Sequence, residues 1–353
     1  MDPSVDSLEA RWCAVTGGRG FMAKHLVLAL LRSGGWRVRI TDLAPEAALE
    51  ASEHGGLLGA ALRDGRAVYV SADVCQLAQL TQAFQGVDTV FHAAAPDHTN
   101  NDFQLHYKVN VEGTRNVIQA CRACKFPDAY TQTKAEAEKL VMRANDTREL
   151  LTCCIRPGSI FGPGDKLVAT LLSYGATMFI IGDGKNWDDF VYVENVVHGH
   201  LCAEKTLSTE EGAKRSGGKA YFITNMEPVN MWNFMYTVLE HLGYKSRFRF
   251  RIPSFILMVI TYLIDWSYNN IFSLYGLRKP GMLSSANIKY ATLNRTFNCN
   301  NAVEELGYKP IVSLQDGVRM TSEFYKKSRL SDMQIISRVK TDTEFHQYKH
   351  VDT

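Results

Sequence analysis

Five residues near the start do most to limit what this chain can become. Trp12–Val15 is a short apolar run of strand character, and Thr16-Gly17-Gly18-Arg19-Gly20 breaks it. An apolar helical run, Phe21–Arg32, follows at once and carries Leu26, Leu28, Leu30 and Leu31. A strand that ends in glycines and opens a helix gathers backbone N–H groups and a helix N-terminus at one point, which suits an anion. In Gly17-x-x-Gly20-x-x-Ala23 the first glycine permits a tight turn and the second lets backbone approach a pyrophosphate. The small Ala23 lets the helix pack close to the sheet. Alone the spacing is weak; the strand–turn–helix setting gives it weight, as does Asp42, which closes the next strand, Val38–Ile40. A carboxylate there accepts from a ribose 2′-OH and repels a 2′-phosphate, so Asp42 favours NAD(H) over NADP(H). Arg37 and Arg39 lie nearby in sequence and soften that preference.

The pattern then repeats. Ala67–Val70, Thr89–Phe91 and Leu150–Ile155 read as strands, and helices are expected near Leu77–Phe84, over Val109–Cys124 and over Tyr130–Ala144. Strands alternating with such helices predict an α/β fold, a Rossmann-type doubly wound parallel sheet. After Arg156-Pro157 the texture changes, with Pro and Gly clustered over 157–164. The expected organisation is a dinucleotide-binding domain over 11–164 and a smaller α+β substrate-binding region over 165–327, interleaved with the last sheet strands. The polar tail, 328–353, has no periodicity and is expected to be loose.

Composition excludes several classes. The 353 residues carry 39 Lys+Arg against 37 Asp+Glu, a charge of +2, with 46% hydrophobic and 22% charged. That is an ordinary globular mixture with no global pull toward nucleic acid. Eight cysteines, at 13, 75, 121, 124, 153, 154, 202 and 299, are too sparse for a disulfide scaffold and read as reduced thiols. Met1–Arg11 is polar and acidic, so no secretory signal is expected and the sequons at Asn145 and Asn294 carry no weight. The longest apolar run, Phe255–Ile264, is shorter than the about 20 residues a membrane span needs.

Tyr130 and Lys134 stand four residues apart, which on one helix face would set an ammonium beside a phenol. The cation favours phenolate and suits proton transfer with a carbinol oxygen. The pattern is common, and its place after a nucleotide loop and before Arg156-Pro157 is what gives it meaning. Cys121-x-x-Cys124 reads as a buried helix face, His198-x-His200 points to two faces, and His92 reads as packing near the cofactor. No metal site is expected.

Together these motifs resemble the extended short-chain dehydrogenase/reductases, in the 3β-hydroxysteroid dehydrogenase/isomerase branch, and most of all plant sterol-4α-carboxylate 3-dehydrogenases (decarboxylating). The residues that carry the resemblance are Thr16-Gly-Gly-Arg-Gly-Phe21, Asp42-Leu43, Ala72-Asp73-Val74, Phe91-His-Ala-Ala-Ala95, Val109-Asn-Val-Glu-Gly-Thr114 and Tyr130–Lys134. Arg156-Pro-Gly-Ser-Ile-Phe-Gly-Pro-Gly-Asp165 and Phe190-Val-Tyr-Val-Glu-Asn195 complete the set, which covers about 11–327. The resemblance implies NAD as cofactor and a sterol substrate whose 3β-hydroxyl is oxidised. It implies that Asp73 and Val74 flank the adenine, that Phe21, Met22, Ala93, Ala94, Ala95 and Ile160 line the cofactor, and that Pro157 sits beside the nicotinamide. Asn110 would join Tyr130 and Lys134 in proton relay. Relatives that handle sterols also imply association with the endoplasmic reticulum. Phe255–Trp266 then has two readings, a core helix or an interfacial patch that meets a membrane. A nucleotide sugar or flavonoid as substrate, and a silent NAD-binding protein, remain as alternatives.

One departure stands against the matches. The family places a strand bearing a Ser or Thr between the Asn110 helix and the Tyr-x-x-x-Lys helix. Here only Lys125-Phe-Pro-Asp-Ala129 is left for it, without Ser or Thr and with a proline unsuited to a central strand. Thr131 and Thr133 are expected on the helix, away from the Tyr130–Lys134 face. The chain reads as truncated between 124 and 130, with the central strand and its hydroxyl missing.

Overall fold

The computed structural model describes residues 11–96, 102–123, 128–131, 135–146, 150–165, 167–168, 171, 179–244, 250–270, 288 and 290–327. Strand β1 (Arg11–Thr16) runs into helix α1 (Phe21–Ser33), then β2 (Trp36–Asp42), α2 (Ala51–His54), α3 (Leu57–Asp64) and β3 (Ala67–Ser71). Helix α4 (Leu77–Ala83) leads to β4 (Thr89–His92), and α5 (Phe103–Tyr107) passes through a π-helical stretch, Lys108–Gly113, into α6 (Thr114–Ala123). Then come β5 (Asp128–Thr131), α7 (Ala135–Ala144) and β6 (Leu151–Pro157). Short strands β7 (Ser159–Phe161), β8 (Ile180–Ile181), β9 (Trp187–Asp188) and β10 (Phe190–Tyr192) precede β11 (Lys219–Ile223).

Seven strands form one parallel sheet in the order β11-β6-β5-β4-β1-β2-β3. The chain winds outward from β1 in both directions, so the doubly wound expectation holds, with the crevice beside β1 and β4. Burial on both faces explains the unbroken apolar strands. Cys13, Ala14 and Val15 are all fully buried, yet Cys13 and Val15 join the core under α1 while Ala14 joins the core under α4, α6 and α7. Helix α1 buries Leu26, Val27, Leu30 and Leu31, each contributing about 1.5–3 kcal/mol, and Gly34 in the left-handed region ends it. A third core, around Phe161, Phe190, Tyr192 and Phe234, lies beyond the sheet, and Phe190 stacks on Phe234 with centroids 3.8 Å apart.

The main correction falls at Tyr130. The sheet position expected to be empty is filled by β5, and Tyr130 is part of it, level with Phe91 on β4 and Cys153 on β6. The helix that follows is described over Ala135–Ala144. Thr131, expected on the helix, ends the strand level with His92. A parallel sheet cannot leave the facing N–H and C=O groups of β4 and β6 unpaired without cost. The short segment therefore yields its first motif residues to the sheet. The tail 328–353 lies outside the described residues.

Candidate cofactor and active site

The site residues collect at the carboxyl ends of the strands, where an open α/β sheet places its crevice. After β1, Gly17 takes φ +63°, and a Cβ there would stand 2.7 Å from the Cα of Ala94. Only a glycine lets the turn and the segment after β4 approach so closely. Gly20 caps α1 without a side-chain acceptor, and the first turn carries no acidic residue, so its N–H groups face outward unclaimed by a carboxylate. A Cβ on Gly20 would meet only the Gly17 carbonyl, at 3.0 Å, and the space ahead of the helix is otherwise open. That cradle fits a pyrophosphate.

Asp42 ends β2 with Oδ2 accepting from the Arg19 N–H at 2.9 Å and Oδ1 from the Leu43 N–H at 2.8 Å. Each carboxylate oxygen keeps a further lone pair. Arg39 spends its guanidinium on the carbonyls of Ala83 and Gln85, and both Arg37 and Arg39 lie over the Trp12 ring. Neither reaches toward Asp42. Asp73 and Val74 follow β3, where Asp73 Oδ1 accepts from the Cys75 N–H and Val74 packs against Gly113. Ala93 and Ala94 follow β4 and donate to Thr16 O and Thr16 Oγ1, while Ala95 is exposed. Phe21 and Met22 open α1 and pack against the third core, as does Ile160 on β7. Pro157 ends β6 opposite Ile223.

Beneath this floor runs a chain of hydrogen bonds that the sequence did not announce. Thr114 Oγ1 donates to the Asn110 carbonyl at 2.6 Å, so it accepts from His92 Nε2–H at 3.0 Å. His92 Nδ1 then accepts from the Thr16 hydroxyl at 2.6 Å, and Thr16 accepts from the Ala94 N–H. His92 is buried and its pKa is pushed down to about 4 by desolvation, so the imidazole stays neutral. Asn110 lies in the π-helical stretch with its Oδ1 buried and without a partner among the described residues. The i, i+4 spacing of Asn110 and Thr114 was the available signal. Beyond Pro157, Ser159 Oγ donates to Asp188 and accepts from Arg295, at 2.9 Å each, and meets the Tyr290 hydroxyl at 3.0 Å. Burial pushes the Asp188 carboxyl up against the pull of Arg295.

Lys134 and the side chain of Tyr130 lie outside the described residues. Tyr130 itself stands in β5 and not on the helix expected to carry it. The segment Phe255–Trp266 lies in a helix, Ser254–Asn270, on which Leu257 and Thr261 are buried. Phe255, Val259, Tyr262, Leu263 and Trp266 are exposed, which removes the core-helix reading. Among the described residues no helix is long and apolar enough to cross a membrane.

The family model of the 3-beta hydroxysteroid dehydrogenase/isomerase family matches residues 14–127 and 122–254. The chain belongs to that family. Among 3β-hydroxysteroid dehydrogenase relatives, the Arabidopsis thaliana protein named 3beta-hydroxysteroid-dehydrogenase/decarboxylase isoform 1 is 44% identical, across 96% of this chain and 84% of its own length. Isoform 2 is also 44% identical, but the match takes in 64% of its length. The Homo sapiens protein named sterol-4-alpha-carboxylate 3-dehydrogenase, decarboxylating, is 32% identical over 92% of this chain and 91% of its own. The dTDP-glucose 4,6-dehydratase of Streptomyces venezuelae, solved with NAD, shares the fold at TM-score 0.66 and 19% identity, covering 90% of this chain and 98% of that one. The alignment with isoform 1 runs over 377 positions, leaving about 38 of them without a counterpart in this 3β-hydroxysteroid dehydrogenase family chain. The two family-model segments overlap at 122–127, directly before β5.

Proposed function

We propose that this chain binds NAD(H) at the glycine turn and takes a sterol bearing a 3β-hydroxyl and a 4α-carboxylate, oxidising the alcohol with loss of CO2. The observation that carries the reading is the match along nearly the whole chain to relatives named as decarboxylating 3-dehydrogenases. The cradle at Gly17 and Gly20 and the carboxylate of Asp42 fit the cofactor, Asp42 holding the ribose. Bound NAD⁺ supplies a hydride acceptor. Tyr130 is the residue assigned to accept the hydroxyl proton, with Lys134 favouring its phenolate, and Asn110 and Pro157 frame the reacting end. Once the alcohol becomes a ketone, the neighbouring carboxylate is a β-keto acid and needs no further catalytic residue to leave as CO2.

A second reading, dinucleotide binding with little turnover, is favoured by Tyr130 belonging to β5. A reacting group displaced by about 1 Å can cost about 10²-fold, and loss of a positioned donor costs about 10²–10³ more. The exposed apolar helix argues for a lipid substrate over a nucleotide sugar, and for contact with the membrane of the endoplasmic reticulum through 255–266. The test is NADH formation from a 4α-carboxysterol by the purified chain, beside Tyr130→Phe. NADH formation that Tyr130→Phe abolishes is the result expected. NAD binding without turnover would overturn the oxidation and leave the second reading.

A further inference from the structure

Arg19 is a cation set beside Asp42, and a cation near the end of the second strand is what a 2′-phosphate would recruit. Its backbone N–H is 2.9 Å from Asp42 Oδ2, so the residue lies at the very position that separates NAD(H) from NADP(H). Its side chain, however, is already taken. Nη1 donates to Glu53 Oε1 at 3.0 Å, and Nη2 donates to Glu53 Oε2 at 2.6 Å and to the Ala48 carbonyl at 3.1 Å. A two-pronged fork of this kind is the strong form of a charge-assisted bond. Both side chains are mostly buried, at 13% and 18% exposure, which limits screening.

The rest of the segment is built around that grip. Ala48 takes φ +38°, a conformation costly for a residue with a Cβ, and it brings a carbonyl to the guanidinium. Glu53 also accepts from the Glu50 N–H at 2.8 Å in a capping box, and Lys24 on α1 pairs with Glu50 at 2.5 Å. Burial pushes the Glu53 carboxyl up, but the bonds from Arg19 and Glu50 outweigh it and hold the group ionised to lower pH than an ordinary glutamate. Tyr69 donates to the Ala44 carbonyl and fastens the near end of the segment to β3. Asp42 by itself repels a second anion, yet the motif beside it carries a positive charge that would offset the repulsion. Something has to neutralise that charge.

We propose that Glu53 is a cofactor-specificity residue, which with the Ala48 carbonyl holds the Arg19 guanidinium away from the 2′ position so that NADP(H) is refused. Arg19 is then a positioning residue for residues 44–54, and Asp42 is left as the group that meets the ribose. The inference rests on the dinucleotide reading above.

The experiment is calorimetric titration of the purified chain with NADH and NADPH, for the wild type, Glu53→Gln, Glu53→Ala and the double variant Arg19→Ala/Glu53→Ala, each checked for folding by thermal melting. In both single variants the NADPH affinity should rise relative to NADH by about tenfold or more, one charge-assisted hydrogen bond's worth. The gain should vanish in the double variant, because the freed guanidinium is its source. A wild type that binds NADH while both Glu53 variants keep the wild-type ratio overturns the inference alone. A gain that persists without Arg19 also overturns it, since Glu53 would then act by direct repulsion. A wild type that binds neither dinucleotide overturns the dinucleotide reading, and this inference with it.

Discussion

Arg156 grips Glu138 with both arms of its fork, Nε donating to Oε2 at 2.6 Å and Nη2 to Oε1. The pair ties β6, one residue before Pro157, to the first turn of α7. The guanidinium also lies over the Phe222 ring, which stacks on Phe297 at 4.6 Å. Glu138 is buried while Arg156 is partly exposed, so the pair is neither a surface bridge of little worth nor a fully desolvated one. Glu138→Ala should cost about 1–3 kcal/mol of stability by leaving the arginine half-buried and unpaired. Urea unfolding checks it, and an unchanged midpoint would show that α7 is held by its apolar face alone.

At the dinucleotide site, NAD(H) should bind more tightly than NADP(H), because a carboxylate at the end of β2 repels a 2′-phosphate. Calorimetry with Asp42→Asn should narrow that preference; equal preference in the wild type would remove the role of the carboxylate. Gly20→Val should abolish binding while the chain stays folded, since the side chain would enter the open space ahead of α1. Gly17→Ala is different in kind. Its φ of +63° and the 2.7 Å approach to Ala94 place the cost in the fold, about 1–3 kcal/mol.

Acid should destabilise the protein in a defined window. His92 and His200 are buried, and desolvation pushes each down to about 4, against 6.5 for a free imidazole. Between those limits the unfolded chain takes up protons that the native chain refuses, so stability falls as pH falls. Full stability is present above about 6.5, and each histidine withdraws about 2 kcal/mol between pH 6.5 and 5. His92→Gln should flatten the slope by one proton's share. A melting temperature independent of pH across this window would contradict the burial of the two rings.

The apolar helix after Pro253 offers a physical test of membrane contact. Val259 and Leu263 are exposed one turn apart. Val259→Glu with Leu263→Glu should abolish flotation with phospholipid vesicles and change stability by no more than about 0.5 kcal/mol per site, as exposed substitutions do. Flotation that survives the double substitution would move the contact elsewhere.

The sequence by itself determined the parallel sheet and the cofactor end of it. Apolar strands such as Cys13–Val15, glycines at 17 and 20, and Asp42 at the end of β2 act through local geometry and burial, which a reader of the chain can follow in order. The same is true of the family, since its motifs are local. What the chain order could not decide was who answers to whom across the sheet. Whether Arg39 turns to Asp42 or to the Ala83 carbonyl, whether Arg19 is free or held by Glu53, and which tautomer His92 keeps between Thr16 and Thr114 are set by neighbours 22 to 76 residues away. Tyr130 shows the conflict most plainly. Its helical spacing to Lys134 is a local preference worth tenths of a kcal/mol, and the vacant place between β4 and β6 is a row of backbone groups that must be paired. The second demand is larger, so the tertiary structure took the residue into the sheet.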